Sequence, residues 1–142
     1  MEYLSLLPHM PPMRLVEEVV SVEPGQQAVC RRLTRADDFY FQGHFPGQPV
    51  VPAIVLIELL AQTGGLAAGT PRPGEPHQPR ALRVAAVDGF RFPAGCGADV
   101  VLEAQARVVG RMGGLFKIEG TVTADGVLVA RGSLTLADVP SR

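Results

Sequence analysis

The stretch FYFQGHFPGQPVVPAIVLIELLAQ, residues 39–62, contains the features that decide the fold. Its first half is a loop rich in glycine and proline, and its second half opens an apolar segment that runs from about Ile54 to Ala68. Pro52 stands just before that segment, where a missing N–H is harmless to a helix, and Gly64 indicates close packing within it. Because this segment is apolar on almost every side, we predict one long helix that other parts of the protein enclose.

Six segments around this helix have the composition or the apolar–polar alternation of β-strands. They are Met13–Val22, Gln27–Thr34, Ala81–Phe90, Asp99–Val109, Leu115–Thr123 and Val127–Leu136. The sequence Ala124–Gly126 is typical of a tight hairpin, and residues 70–80 form a proline-rich connection between the two halves. We therefore expect an α+β architecture, one long central helix wrapped by a five- or six-stranded antiparallel sheet, in a single domain over residues 1–142. One helix leaves part of such a sheet uncovered, so we also expect a homodimer.

Composition narrows the classes of partner. With 142 residues, 46% of them hydrophobic and 19% charged, the chain can bury one core of ordinary size. A formal net charge of −1 with signs interspersed predicts no nucleic-acid partner, and no apolar run reaches the roughly 18 residues of a membrane span. We expect a cytoplasmic protein. The two cysteines, Cys30 and Cys96, lack neighbours at metal-ligand spacing, so neither a metal site nor a disulfide is predicted.

Glu58 is the one acidic residue in the apolar helix. A carboxyl group in apolar surroundings has a raised pKa and can donate a proton near neutral pH, which suits a general acid. The alternative is a carboxylate that reaches solvent or pairs with an arginine. Gln62, four residues later, shares the helical face of Glu58 and could hydrogen-bond it; otherwise it is a partly exposed polar residue.

His44 lies in the stiff apolar loop before the helix, in the sequence GHFPG. With an ordinary pKa of about 6.5, a histidine is a natural proton acceptor at neutral pH, although a lone loop histidine is more often structural. The N–H groups at the start of the helix could polarise a carbonyl oxygen. We expect His9 to be structural and His77 to face solvent. The sequence has no glycine-rich phosphate loop and no serine nucleophile motif, so we predict acid–base chemistry without a cofactor.

The stretch FQGHFPGQPVVPAIVLIELLAQ resembles the signature of the 3-hydroxyacyl-[acyl-carrier-protein] dehydratases of type II fatty acid synthesis, which have the hot-dog fold. The opening LLPHMPPMRLVEEV also resembles the start of that family, and the remaining strands agree in order and length. The resemblance therefore covers nearly the whole chain.

The resemblance implies a role for each matching residue. His44 would take the proton from C2 of a (3R)-3-hydroxyacyl thioester, and Glu58 would protonate the departing C3 hydroxyl. Gln62 would orient Glu58, and the carbonyl of Val50 would accept the other ring N–H of His44. The N–H of Ala53, where the family has glycine, would bind the thioester carbonyl. Substrate contacts are expected from the residues beside this pair, namely Phe45, Pro52 and Ile54.

The resemblance also implies acyl carrier protein as the partner that delivers the substrate, and sites at a homodimer interface, with a trimer of dimers as a further assembly. Two alternatives stay open. The loop RFPAGCGAD lacks two basic residues that the family carries, which leaves room for a coenzyme A-linked dehydratase, hydratase or thioesterase. Ala53 in place of glycine leaves room for a catalytically weak acyl-carrier binding module.

Overall fold

The computed structural model describes residues 2–45, 47–75 and 82–138. These residues form six β-strands and one α-helix, together with two short 3₁₀ turns at Tyr3–Leu6 and Phe39–Phe41. The elements are β1 (Glu18–Glu23), β2 (Gln27–Leu33), α1 (Ala53–Gly69), β3 (Leu82–Arg91), β4 (Val101–Met112), β5 (Leu115–Ala124) and β6 (Val127–Asp138).

The six strands form one antiparallel sheet in the order β1-β2-β4-β5-β6-β3. Strands β4, β5 and β6 make a meander whose residues alternate between a buried and a wet face over most of their length. The hairpin predicted at Ala124–Gly126 is confirmed, with positive φ at Asp125 and Gly126. The sheet has two edges, β1 at one side and β3 at the other.

Helix α1 packs on the buried face of this sheet and lies within one residue of its predicted bounds at each end. Its leucines meet a layer of aliphatic side chains from the sheet. Gly64 lies directly over Ile118, where a Cβ atom would come within 3.0 Å of the isoleucine side chain. The absence of a side chain at this position therefore sets how closely helix and sheet approach.

The starts of two strands differ from the prediction by two residues or more, and β4 also ends three residues later than predicted, at Met112. Strand β1 begins at Glu18 and not at Met13, because the backbone of residues 13–16 is bonded to a side chain of α1, as described below. Strand β4 begins at Val101 and not at Asp99, whose φ of 63° interrupts extended structure. The predicted start of β3 at Ala81 lies outside the described residues.

Strand β3 differs from the others because most of its residues are exposed on both faces. Val84 and Val87 are among these exposed residues, and the neighbouring side of the strand is a sheet edge. Such an apolar edge strand commonly pairs with another chain. Within the described ranges, no helix combines the length and apolar character needed to cross a bilayer.

Candidate active site

The loop before α1 holds His44 by backbone and side-chain hydrogen bonds. The His44 N–H donates to the Phe41 carbonyl at 3.0 Å, and the His44 carbonyl accepts from the Val50 N–H at 3.1 Å. Gly43, with φ of 77°, supplies the left-handed turn that the chain needs immediately before the histidine. The ring Nδ1 of His44 lies 3.0 Å from the Val50 carbonyl oxygen. A carbonyl can only accept, so Nδ1 carries the proton and Nε2 has a free lone pair.

The Phe45 ring stacks on the His44 ring, with centroids 4.4 Å apart and planes inclined by 24°. Phe45 is nevertheless 57% exposed. An aromatic side chain that leaves this much surface to water next to a candidate base is suited to contact an apolar ligand or a second chain.

A buried ionic cluster anchors the start of this loop to β2. Arg32 lies 3.1 Å from Asp38 and donates to the Tyr40 hydroxyl at 3.3 Å, while Tyr40 donates to Asp38 at 2.6 Å. Burial alone would raise the pKa of Asp38, but the hydrogen bonds from Tyr40 and from the Arg35 N–H, with the charge of Arg32, lower it. Burial and the bond to Asp38 raise the pKa of Tyr40 to about 12. Asp38 is therefore a carboxylate beside the Arg32 guanidinium cation at neutral pH, and the two opposite charges offset each other.

The beginning of α1 offers two unpaired donors. Neither the Ala53 N–H nor the Ile54 N–H has an acceptor among the residues that the structure describes, since the first capping bonds to the Pro52 carbonyl come from Val55 and Leu56. Ala53 is not among the residues with positive φ, so alanine is unstrained at this position. Ile54 is 74% exposed. These N–H groups and the helix dipole favour a partly negative oxygen at this end of the helix.

Glu58 is less enclosed than the sequence predicts. Its side chain is 28% exposed, because the face of α1 that carries Ile54, Ile57 and Glu58 is open, whereas the residues on the opposite face lie against the sheet. Within a single copy, Glu58 therefore matches the alternative of a carboxylate that reaches solvent, and not the prediction of a carboxyl group in apolar surroundings. Glu58 also pairs with no arginine in the described part of the chain; the ion-pair partner within reach is a histidine.

The expected hydrogen bond from Gln62 to Glu58 is not formed. Gln62 is 1% exposed, and its Oε1 accepts from the N–H groups of Leu15 and Val16 at 2.8 and 3.3 Å, while its Nε2 donates to the Met13 carbonyl at 2.7 Å. The amide therefore binds the N-terminal segment. A spacing of four residues put Gln62 on the face of Glu58, but the unpaired backbone of residues 13–16 is the partner that its buried amide satisfies.

His9 occupies the position beside the acid. Its Nε2 lies 3.7 Å from Glu58 Oε1, and both side chains are about one-quarter exposed. One signal for this contact is present in the sequence, namely the histidine in LLPHMPP within the opening that resembles the family. We expected a structural histidine, because its neighbours in sequence gave it no chemical partner.

His44 and Glu58 do not touch each other within one copy. No hydrogen bond or ion pair joins the two side chains in the described ranges, where His44 contacts Val50 and Phe45 and Glu58 contacts His9.

Cys30 is fully buried, and burial raises the pKa of its thiol to about 11. The thiol is protonated at neutral pH and is no nucleophile.

The family follows from the sequence as a whole. A family model described as a FabA-like domain matches residues 7–133, most of the chain. The chain belongs to the FabA-like family. A 3-hydroxyacyl-[acyl-carrier-protein] dehydratase FabZ from Roseiflexus sp. (strain RS-1) is 34% identical over 137 residues, which are 96% of this chain and 93% of the relative. One from Thiobacillus denitrificans (strain ATCC 25259 / T1) is 34% identical over an alignment 143 positions long, which covers 98% of this chain and 97% of the relative.

The fold of this FabA-like chain agrees with that of a solved structure, the dehydratase heterocomplex ApeI:P from Xenorhabdus doucetiae. The two superpose with a TM-score of 0.85 over 99% of this chain and 93% of the other, at 20% sequence identity. One long helix against a six-stranded antiparallel sheet is the hot-dog fold, as predicted.

Proposed function

We propose that this FabA-like chain removes water from (3R)-3-hydroxyacyl thioesters carried on acyl carrier protein, giving trans-2-enoyl thioesters in fatty acid biosynthesis. The observation that carries the proposal is the hydrogen bond between His44 Nδ1 and the Val50 carbonyl, which leaves Nε2 able to act as a base. It lies in the loop that leads into a helix with free N–H groups. Curated relatives of almost the same length carry the corresponding dehydratase name.

The chemistry assigns one proton to each side chain. His44 Nε2 takes a proton from C2, and the electron pair of that C–H bond forms the C2–C3 double bond. Glu58, protonated at the start, gives its proton to the C3 hydroxyl, so the C3–O bond breaks and water leaves. The N–H of Ala53 stabilises the negative charge that develops on the thioester oxygen. Glu58 ends as a carboxylate and His44 as an imidazolium, and proton exchange with solvent restores both.

The active site requires two copies in this proposal. His44 and Glu58 do not meet within one chain, so His44 of one copy faces Glu58 of the other. Strand β3 supplies the pairing edge, since it is exposed and apolar at Val84 and Val87, and the loop after it binds the His44 loop through Val51 N–H to Cys96 O at 2.8 Å. A second copy on this edge therefore lies next to the site.

The acyl chain would lie along residues that a single copy leaves uncovered. Phe45 and Ile54 are the most exposed apolar side chains next to the site residues, and Pro52 joins them at the start of α1. Their burial between substrate and partner copy would remove apolar surface from water, which favours binding.

The test follows the absorbance of the conjugated enoyl band of crotonyl thioesters while water adds to them. We expect the band to disappear on acyl carrier protein, and both His44→Ala and Glu58→Gln to be slower by about 10²- to 10⁴-fold. Glu23→Gln changes a carboxylate on β1, at the far edge of the sheet, and should keep the wild-type rate. Hydration that survives in His44→Ala would contradict the assignment, and a folded wild-type dimer without hydration would favour a binding module.

A coenzyme A thioester is the second candidate substrate. The loop at residues 92–99 has no basic side chain, although a carrier protein with an acidic surface would be attracted by one. Running the same assay on crotonyl-coenzyme A decides between the carriers. A value of kcat/KM at least tenfold higher on coenzyme A would overturn the carrier-protein assignment.

A further inference from the structure

The side chain next to the acid is His9, from a segment to which the proposed mechanism assigns no role. His9 Nε2 faces Glu58 Oε1 at 3.7 Å. This is about 0.5 Å longer than a hydrogen bond, and bonds at catalytic groups are often long before substrate is bound. About one-quarter of each side chain is exposed.

The segment that carries His9 is fixed from two sides. Gln62 of α1 bonds the backbone of Met13, Leu15 and Val16, and Arg32 of β2 donates to the Leu15 carbonyl at 3.1 Å. The Arg14 N–H closes a turn onto the Met10 carbonyl at 2.9 Å, directly after His9. Gln62 therefore contacts the segment that brings His9 to Glu58, and not Glu58 itself.

The surroundings of the His9 ring decide which nitrogen carries its proton. Nδ1 is buried and has no hydrogen-bond partner within the described residues. A buried N–H without an acceptor is costly, so the neutral ring carries its proton on Nε2, the atom that faces Glu58. His9 is then a donor to Oε1, in contrast to His44, whose Nε2 is left free.

We propose that His9 is a positioning residue that holds Glu58 through Oε1 and so leaves the acidic proton on Oε2, the oxygen free to meet the substrate hydroxyl. A carboxyl group has two equivalent oxygens, and a donor at one of them fixes both the orientation and the place of the proton. Once the proton has left, the same N–H stabilises the carboxylate by a charge-assisted bond. This inference rests on the proposed function.

Three variants of His9 separate a donor at Nε2 from mere packing. A glutamine amide nitrogen reaches roughly the position of Nε2, an asparagine nitrogen that of Nδ1, and phenylalanine keeps the ring without any donor. We expect His9→Asn and His9→Phe to lower kcat about 10- to 100-fold with little change in KM, and His9→Gln to restore most of the rate. Equal values of kcat for His9→Gln and His9→Asn would overturn the proposal.

A second measurement needs no turnover. The chain has three histidines, so ¹⁵N-histidine NMR of the intact protein resolves their tautomers, with His44→Ala and His9→Gln as assignment controls. We expect the Nε2–H tautomer for His9, and a shift of that nitrogen in Glu58→Ala. An Nδ1–H tautomer for His9, or identical His9 signals in the wild type and in Glu58→Ala, would overturn the pairing. A protein that shows the pairing but hydrates no crotonyl thioester would retain this contact and refute the proposed function.

Discussion

At the residue scale, buried charges of opposite sign determine where the His44 loop starts. The side chains of Arg32 and Asp38 are each about one-tenth exposed and lie 3.1 Å apart, with the Tyr40 hydroxyl between them. Arg32 also reaches the N-terminal segment through the Leu15 carbonyl. One guanidinium therefore joins the segment that carries His9 to the loop that carries His44.

Removing the carboxylate of this cluster should make the protein less stable and less sensitive to acid. Asp38→Asn leaves Arg32 buried without its nearest counter-ion, and we expect a loss of about 3 kcal/mol in the free energy of unfolding at pH 7. The pKa of Asp38 is lowered in the folded state, so its contribution is present above the unfolded pKa of about 3.9 and is lost as the pH falls through the folded value. The difference in the free energy of unfolding between variant and wild type should therefore become smaller as the pH falls below about 5.

Urea unfolding at one protein concentration measures this difference. Glu17, whose pKa is also lowered, is retained in both proteins, so their difference isolates Asp38. Asp37→Asn is the matched control, since Asp37 is its exposed neighbour. A gap that stays constant from pH 7 to the acid limit would argue against an ionised Asp38 in the cluster.

Some of the side-chain contacts could be predicted from the sequence and others could not. The contact between His44 and the Val50 carbonyl is present as the resemblance implied, because both partners lie in one short loop. Gln62 and His9 could not be assigned in the same way. The backbone partners of Gln62 lie 46 to 49 residues away along the chain, and the partner of His9, Glu58, lies 49 residues away. Helical spacing therefore contains no information about either contact.

At the element scale, periodicity predicted the helix and the meander well. Helix α1 and strands β5 and β6 have their own patterns of apolar residues, and each lies within two residues of its predicted bounds. The predicted start of β1 was wrong because an apolar run can be buried without pairing as a strand. Leu15 and Val16 are buried in this way. The exposure of β3 on both faces could not be predicted from its pattern of apolar residues, because it depends on which strands are its neighbours.

A charge placed on the β3 edge should separate the two copies. Val87 is 49% exposed on β3, and Val87→Lys would bury an unpaired ammonium group in the proposed interface, which is strongly unfavourable. We expect analytical ultracentrifugation to show monomers and crotonyl hydration to fall in parallel. Val20→Lys makes the same change on β1, at the opposite edge, and should remain dimeric and active. A dimeric, active Val87→Lys would place the interface elsewhere.

At the scale of the whole molecule, the proposed function divides each active site between two copies of the chain. One end of α1 and its preceding loop present His44 and two free N–H groups, while the open face of the same helix presents Glu58 beside His9. In the proposed dimer, a two-fold axis would bring each half against its counterpart and complete two sites at once. The same dimer would cover the apolar side chains of β3, Phe45 and Ile54 that a single copy leaves exposed.

Mixing two inactive variants tests this arrangement most directly. His44→Ala and Glu58→Gln are unfolded together, refolded and assayed with crotonyl-acyl carrier protein, each variant refolded alone being the control. A dimer with one copy of each has one site in which both residues are intact, so random pairing should restore about a quarter of the wild-type rate. A mixed sample that contains heterodimers and stays as inactive as either parent would contradict a site shared between copies.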